Sequence, residues 1–347
     1  MHSATESPHT GAHGSRAVTV WLFLCAAMVV AMMLIGAITR LTESGLSMVE
    51  WRPLIGALPP FGEAEWRRVF DLYRQTSEYR LENAGMTLSG FKNIFWWEYI
   101  HRLWGRLIGA VYGLPFLWFV WRRQIAGREA PRFIALFALG GLQGVIGWWM
   151  VKSGFVARTD VSQYRLAVHL GLAFVILGAL LWVGFGRLRF AAAAPCPTGI
   201  RRGTLALLAL VFATALSGAL VAGLEAGRIY NDWPMMQGRF FPEEYGQLTP
   251  FWLNPFENVA AVQFNHRIMA YLTLAGTAAL WVAGRGAWLP AGPARALNYL
   301  FAATLLQLGL GIVTLMLVVP LPLAVLHQAG AITVFCLAVW SAHAVCR

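Results

Sequence analysis

The sequence predicts an all-α polytopic membrane protein: eight transmembrane helices, arranged as two tandem four-helix bundles related by a pseudo-two-fold axis along the membrane normal. Three observations predict it. Of 347 residues, 58% are hydrophobic and 12% charged, against about 25% charged in soluble domains. The apolar residues gather in blocks close to the ~20 residues that cross a bilayer. Motifs in the first half recur, in order, in the second.

Residues 1–16, "MHSATESPHTGAHGSR", are small and polar and read as a disordered cytoplasmic leader, in which His2, His9 and His13 fit a mobile tail better than a metal site. The block at 17–38 is too long for a signal-peptide core and lacks a small-x-small exit, so it stays as a span. Further blocks fall at 100–121, 132–151, 165–186, 204–223, 264–284, 296–318 and 323–343. Lipid offers the backbone no hydrogen-bond partner, so each must be helical. This divides the chain into an N-terminal half at 17–186 with a long loop at 39–99, a cytoplasmic linker at 187–203, and a C-terminal half at 204–343.

The net charge of +11 would suggest nucleic acid in a soluble chain. Here the short loops at 122–131, 187–203 and 285–295 are rich in arginine, and their only acid is Glu129. The positive-inside rule then places both termini in the cytoplasm of a bacterial inner membrane, and the long loops at 39–99 and 224–263 in the periplasm. No nucleic-acid partner is expected. Cys25, Cys196, Cys336 and Cys346 form no CxxC and suggest no disulfide.

"GAITRLTESGLSMVEW" (36–51) aligns with "GALVAGLEAGRIYNDW" (218–233), pairing Gly36 with Gly218, Glu43 with Glu225, Gly45 with Gly227 and Trp51 with Trp233. His101-Arg102 pairs with His266-Arg267, Gln143 with Gln307, and His169 with His327. A duplicated unit of four helices inserts both copies in one orientation, a parallel repeat.

The four repeated histidines open the second, fourth, sixth and eighth spans, so all lie at one depth near the periplasmic face. One intramembrane histidine is as readily a satisfied core residue as a ligand. Four at matching depth, two per half, form natural axial pairs for haem iron. Zinc would call for cysteines or carboxylates close by. His343 has no repeat counterpart and reads as structural. Arg102 and Arg267 suit haem propionates, or snorkel to lipid headgroups. Trp96, Trp97 and Trp104 read as an aromatic belt. Glu98, three residues before His101, is matched by the neutral Gln263. This carboxylate marks one half as the reactive one, unless it only complements a helix N-terminus.

"RLTESGLSMVEW", "EYIHRLWGR", "NDWPMM", "NPFENVAAVQFNHR" and "LHQAG" resemble the haem A synthase (COX15/CtaA) family across residues 17–343. The resemblance implies an oxidoreductase that converts the C8 methyl of haem O to a formyl group by successive hydroxylations, giving haem A for cytochrome oxidase. It implies a resident haem b on His266 and His327, and a substrate haem between His101 and His169 with Glu98 essential. Membrane lipid, haem O synthase, oxidase assembly factors, an electron donor and a second copy of the chain are the partners it suggests. Residues 39–99 and 224–263 contain no cysteine, unlike the Gram-positive branch, which points to the proteobacterial and mitochondrial one. The alternatives are a di-haem b-type cytochrome that only transfers electrons and, further off, a transporter.

Overall fold

A computed structural model of the chain describes residues 16–50, 58–125, 127–154, 161–188, 196–287 and 289–346. The leader histidines His2, His9 and His13, and Trp51 of the Trp51/Trp233 match, lie outside the described residues. Among those described, regular structure is helical, apart from one isolated bridge between Met236 and Arg239. Eight helices are long and apolar enough to cross a membrane: α1 (Arg16–Leu41), α4 (Leu88–Trp121), α5 (Ala130–Lys152), α6 (Gln163–Arg187), α7 (Thr198–Gly223), α9 (Val259–Gly286), α10 (Ala291–Met316) and α11 (Leu321–Val345). The eight expected spans are all present.

The interval 39–99 is less of a loop than hydropathy implies. It holds α2 (Gly62–Tyr73), α3 (Ser77–Leu81) and the first turns of α4, which starts at Leu88 rather than near residue 100. Thr87 caps α4 by accepting from Gly90 N at 3.2 Å. The extension is then held by burial: Trp66 and Tyr73 of α2 pack on Phe91, Phe95 and Tyr99 of α4. Hydropathy marks where a helix meets lipid, whereas this helix continues along an aromatic partner. The short helix α8 (Asn254–Glu257) leads into α9 in the other long loop, where Asn258 caps α9 by accepting from Ala261 N.

In each half the four long helices touch in a closed ring: α1, α4, α5 and α6, then α7, α9, α10 and α11. The halves meet where α6 packs on α7 and α11, and α1 on α11. At the histidine-bearing end, α6 and α7 approach almost backbone to backbone: a Cβ on Gly223 would lie 2.6 Å from Gln163 Cβ and 2.7 Å from its Cα. Toward the other end an apolar cleft of about 420 Å³ opens between them, lined by Phe174, Gly178, Trp182, Leu208, Phe212 and Phe335 among others.

Several threonines within the spans are satisfied locally. Thr204, Thr273, Thr277 and Thr304 each donate to the carbonyl four residues back. Pro115 lies inside α4 and has no N–H for the Val111 carbonyl, which accepts instead from Trp21 Nε1 at 2.8 Å. The proline thus ties α4 to α1, where Trp21 also packs on Tyr112 with ring centroids 4.8 Å apart. Trp104 Nε1 donates to Met28 O, so this tryptophan pins α4 to α1 rather than standing free in a belt. His343 is buried beside Trp182 and Phe185, joining α11 to α6.

Candidate functional site

Each repeated histidine lies against a glycine of the preceding long helix. A Cβ on Gly36, Gly147, Gly218 or Gly311 would come 3.0, 2.9, 3.1 or 2.8 Å from Cε1 of His101, His169, His266 or His327, respectively. Real Cβ contacts are rarely so short, so only glycine lets these rings lie flush on the neighbouring helix. His101 of α4 and His169 of α6 lie within one ring of helices, and His266 of α9 and His327 of α11 within the other. The structure therefore gathers the four histidines two by two, each half contributing a pair.

Hydrogen bonds orient the rings. Gln307 Nε2 donates to His327 O at 2.9 Å and lies 3.0 Å from its Nδ1; Gln143 Nε2 donates to His169 O at 3.0 Å and lies 3.3 Å from its Nδ1. Ser217 Oγ donates to Thr214 O at 2.7 Å, which leaves its oxygen to accept from His266 Nδ1 at 2.8 Å. The proton of His266 is thereby held on Nδ1 and the Nε2 lone pair is left for a metal. At His327 the Gln307 amide N–H favours Nδ1 as an acceptor. A metal on Nε2 needs the opposite tautomer, for which Gln307 must turn away from Nδ1; simply reversing the amide would set Oε1 against His327 O. Paired neutral imidazoles, each seated on glycine, fit the axial ligation of a haem in both halves.

Glu98 does not stand loose beside His101. Its side chain is buried, Oε2 accepts from Ser47 Oγ and Met48 N at 2.7 Å each, and Oε1 accepts from Arg102 Nη2. Arg102 also donates to Met48 O at 3.0 Å. Gln263 and Arg267 repeat this arrangement on the loop after α7. Gln263 Nε2 donates to the carbonyls of Ala226 and Ile229, while Arg267 donates to Gln263 Oε1 and Tyr230 O at 2.7 Å and to Met235 O at 3.0 Å. In each half, then, a side chain pair one turn apart clips the second long helix to the loop that leaves the first. Toward the loop the polarity reverses between halves: the carboxylate receives hydrogen bonds and the amide gives them, while both accept from their arginine.

The two loop starts also meet across the seam. Glu43 and Glu225, matched in the repeat, both adopt left-handed backbone, with φ 52° and 51°. Arg40 of α1 lies 3.6 Å from Glu225 and donates to Ala222 O, and Arg228 lies 3.5 Å from Glu43. In the loop beyond, burial works to raise the Asp232 carboxyl, but the backbone N–H groups of Gln237 and Gly238 prevail and hold it below its ordinary range.

The profile of the cytochrome oxidase assembly protein family COX15-CtaA matches residues 19–339. The chain belongs to this family. It is 52% identical to the heme A synthase of Rhodospirillum centenum, covering 98% of this chain and 91% of that protein. To the heme A synthase of Parvibaculum lavamentivorans it is 49% identical, covering 94% of each. To that of Caulobacter vibrioides it is 49% identical, covering 91% of this chain and 92% of the relative. In this COX15-CtaA family member the repeated histidines, Gln143, Gln307 and the Glu98/Gln263 contrast are all legible in the internal repeat. The seat glycines, Ser217, Ser47 and Met48 gain a role only in the fold. A signal was present in "QGVIG" (143–147) and "QLGLG" (307–311), where glutamine and glycine one turn apart share a helix face.

Proposed function

We propose that this protein is a haem A synthase, an oxidoreductase that converts the C8 methyl of haem O to a formyl group for cytochrome oxidase assembly. One observation carries the reading: two imidazole pairs on matched glycine seats, one half latched by a carboxylate and the other by an amide. Full-length similarity to proteins named heme A synthase supports the same activity.

His101 and His169 hold the substrate haem, and His266 and His327 hold a resident haem b. That haem b, when bound, supplies electron transfer to or from the substrate site. The substrate methyl is hydroxylated twice and the resulting gem-diol loses water; with water as the oxygen source four protons and four electrons leave the methyl carbon's side, whereas with O2 as oxidant each hydroxylation takes up two of each, so either route moves protons through the N-terminal half. Glu98, with Ser47 and Arg102 as its partners, provides a buried negative charge and a hydrogen-bonded route for a proton at Oε2. Arg102 and Arg267 turn their guanidinium groups to loop carbonyls, and so shape the mouths of the two pockets through the loops. The apolar bundle keeps water from the porphyrin and its prenyl tail.

The chain divides into halves at 17–186 and 204–343, joined by the linker 187–203. A pseudo-two-fold along the membrane normal is supported by two matched closed rings, with the α6–α7 contact answered by the α11–α1 contact. The arginine-rich short loops support cytoplasmic termini in the bacterial inner membrane. Haem O synthase, assembly factors and an electron donor are the expected partners.

A second reading, an electron-transferring di-haem b-type cytochrome, is favoured by one feature: Glu98 is satisfied as a structural carboxylate would be. Glu98→Ala separates the two readings. A synthase variant keeps its haem b but accumulates haem O in place of haem A in extracted pigments. Unchanged haem A output would remove Glu98 from the reaction, and absence of haem O and haem A from the wild type would favour the cytochrome.

A further inference from the structure

The seats of His101 and His266 share a shape and differ by one hydroxyl. A Cβ on Gly36 would lie 3.0 Å from His101 Cε1 and 3.5 Å from Nδ1; on Gly218 the corresponding distances to His266 are 3.1 and 3.7 Å. The rings therefore rest on their helices in nearly the same pose. Next to Gly218 stands Ser217, whose oxygen binds His266 Nδ1 at 2.8 Å. Next to Gly36 stands Ile35, which has no polar side-chain atom. His101 Nδ1 is buried without a hydrogen-bond partner among the described residues.

The other histidine of each half differs in the same sense. Gln307 Oε1 lies only 1.9 Å from where a Cβ on Gly330 would be, so the amide fills the space that this glycine leaves. The residue matching Gly330 is Leu172, three positions after His169. Gln143 Nε2 is 3.3 Å from one His169 ring nitrogen and 3.5 Å from the other, whereas Gln307 approaches His327 Nδ1 to 3.0 Å. Ser217 thus gives His266 a partner that His101 lacks, and Gln307 sits closer to His327 than Gln143 does to His169.

We infer that the choice of Ile35 against Ser217 sets how readily each half releases its haem, Ile35 leaving His101 a detachable ligand and Ser217 fastening His266. An acceptor on Nδ1–H makes the opposite nitrogen a better donor to a metal and fixes the ring's rotation, and loss of such a partner weakens metal binding by about 10–100-fold. A product must leave its pocket, while a resident electron carrier must stay. The inference rests on the proposed division between substrate and resident halves. Ile35 and Ser217 act through the histidines as positioning residues.

The test uses the full-length, haem-loaded protein in detergent, with haem loss followed by transfer to excess apomyoglobin and the pigment of each phase identified by chromatography. The wild type should lose haem in a fast phase and a slow phase, with haem B in the slow one. Ser217→Ala should speed the slow phase about tenfold, and Ile35→Ser should slow the fast phase by a similar factor. Ile35→Ala, which removes bulk without adding a hydroxyl, should not slow it. An unchanged slow phase in the Ile35 variants shows that the fold is intact; if Ile35→Ser fails this check, the β-branched Ile35→Thr takes its place. Two phases in the wild type, with either hydroxyl change leaving its own phase within twofold, would overturn the inference alone. A single phase, or haem B in the fast one, would overturn the division of halves on which it rests.

Discussion

Glu98 and Gln263 stand at matched positions, clip matched loops and each accept from an arginine one turn on, yet their hydrogen bonds to the loops run in opposite directions. The N-terminal loop turns a hydroxyl and a backbone N–H toward its latch, so the latch must be an acceptor. The C-terminal loop turns two carbonyls inward, so the latch must be a donor. A buried carboxylate beside a site thus has two explanations at once, and the comparison with its neutral twin separates them: clipping the loop needs only matched polarity, whereas the proposed proton transfer needs an ionisable group.

The largest effect that could break the comparison is expected from the histidines. His266→Ala should strip the C-terminal haem from the purified protein. His101→Ala should leave that haem and its spectrum in place while haem A disappears from the pigment extract. Retention of the full spectrum by His266→Ala would remove the ligand assignment. Next come the seats. Gly311→Ala places a Cβ 2.8 Å from His327 Cε1 and should loosen the C-terminal haem several-fold, read as faster loss to a scavenger, whereas alanine at Gly109, with nothing within 4 Å, should not.

Exchanging the latches sharpens the contrast. Glu98→Gln turns an amide N–H toward Ser47 or Met48 and should lower stability by about 1–3 kcal/mol for the unsatisfied buried group, read in a thermal unfolding midpoint. Gln263→Glu sets a carboxylate against two carbonyls and should cost at least as much; a neutral result in both would mean that the loops simply re-pair. The smallest effect concerns Asp232. Its folded pKa lies below the ordinary 3.8, so its stabilising contribution is complete above that value and is lost as pH falls through the folded pKa. Asp232→Asn should therefore be less stable than wild type at neutral pH, with the gap closing under acid; a gap that persists at low pH would contradict the assignment.

How much of this is legible in the sequence depends on the range of the interaction. Span number and order follow from hydropathy, which adds along the chain, and eight helices appear where eight blocks stand. The histidine pairs follow from the repeat, which needs no knowledge of contacts. The helices within 39–99 escape hydropathy because α2 is amphipathic and holds to α4 through Trp66 and Phe95, a pairing that no apolar-block criterion registers. Arg102 reads from the sequence as a propionate ligand or a snorkelling cation; its bonds to Glu98 and to Met48 O, fifty-four residues away along the chain in the latter case, are visible only in the fold. Glycine is silent in hydropathy, so the seats emerge only once a Cβ is imagined there. Ser217 is one serine among many until its oxygen is seen at an imidazole.

The cleft between α6 and α7 has a mechanical consequence. Pinned at Gly223 and Gln163 and parted toward Trp182 and Leu205, the two halves are joined like tongs with an open jaw. Because its lining is apolar, such an opening suits hydrocarbon and not water, so leaving α6 and α7 apart there exposes no unsatisfied polar group inside a bilayer.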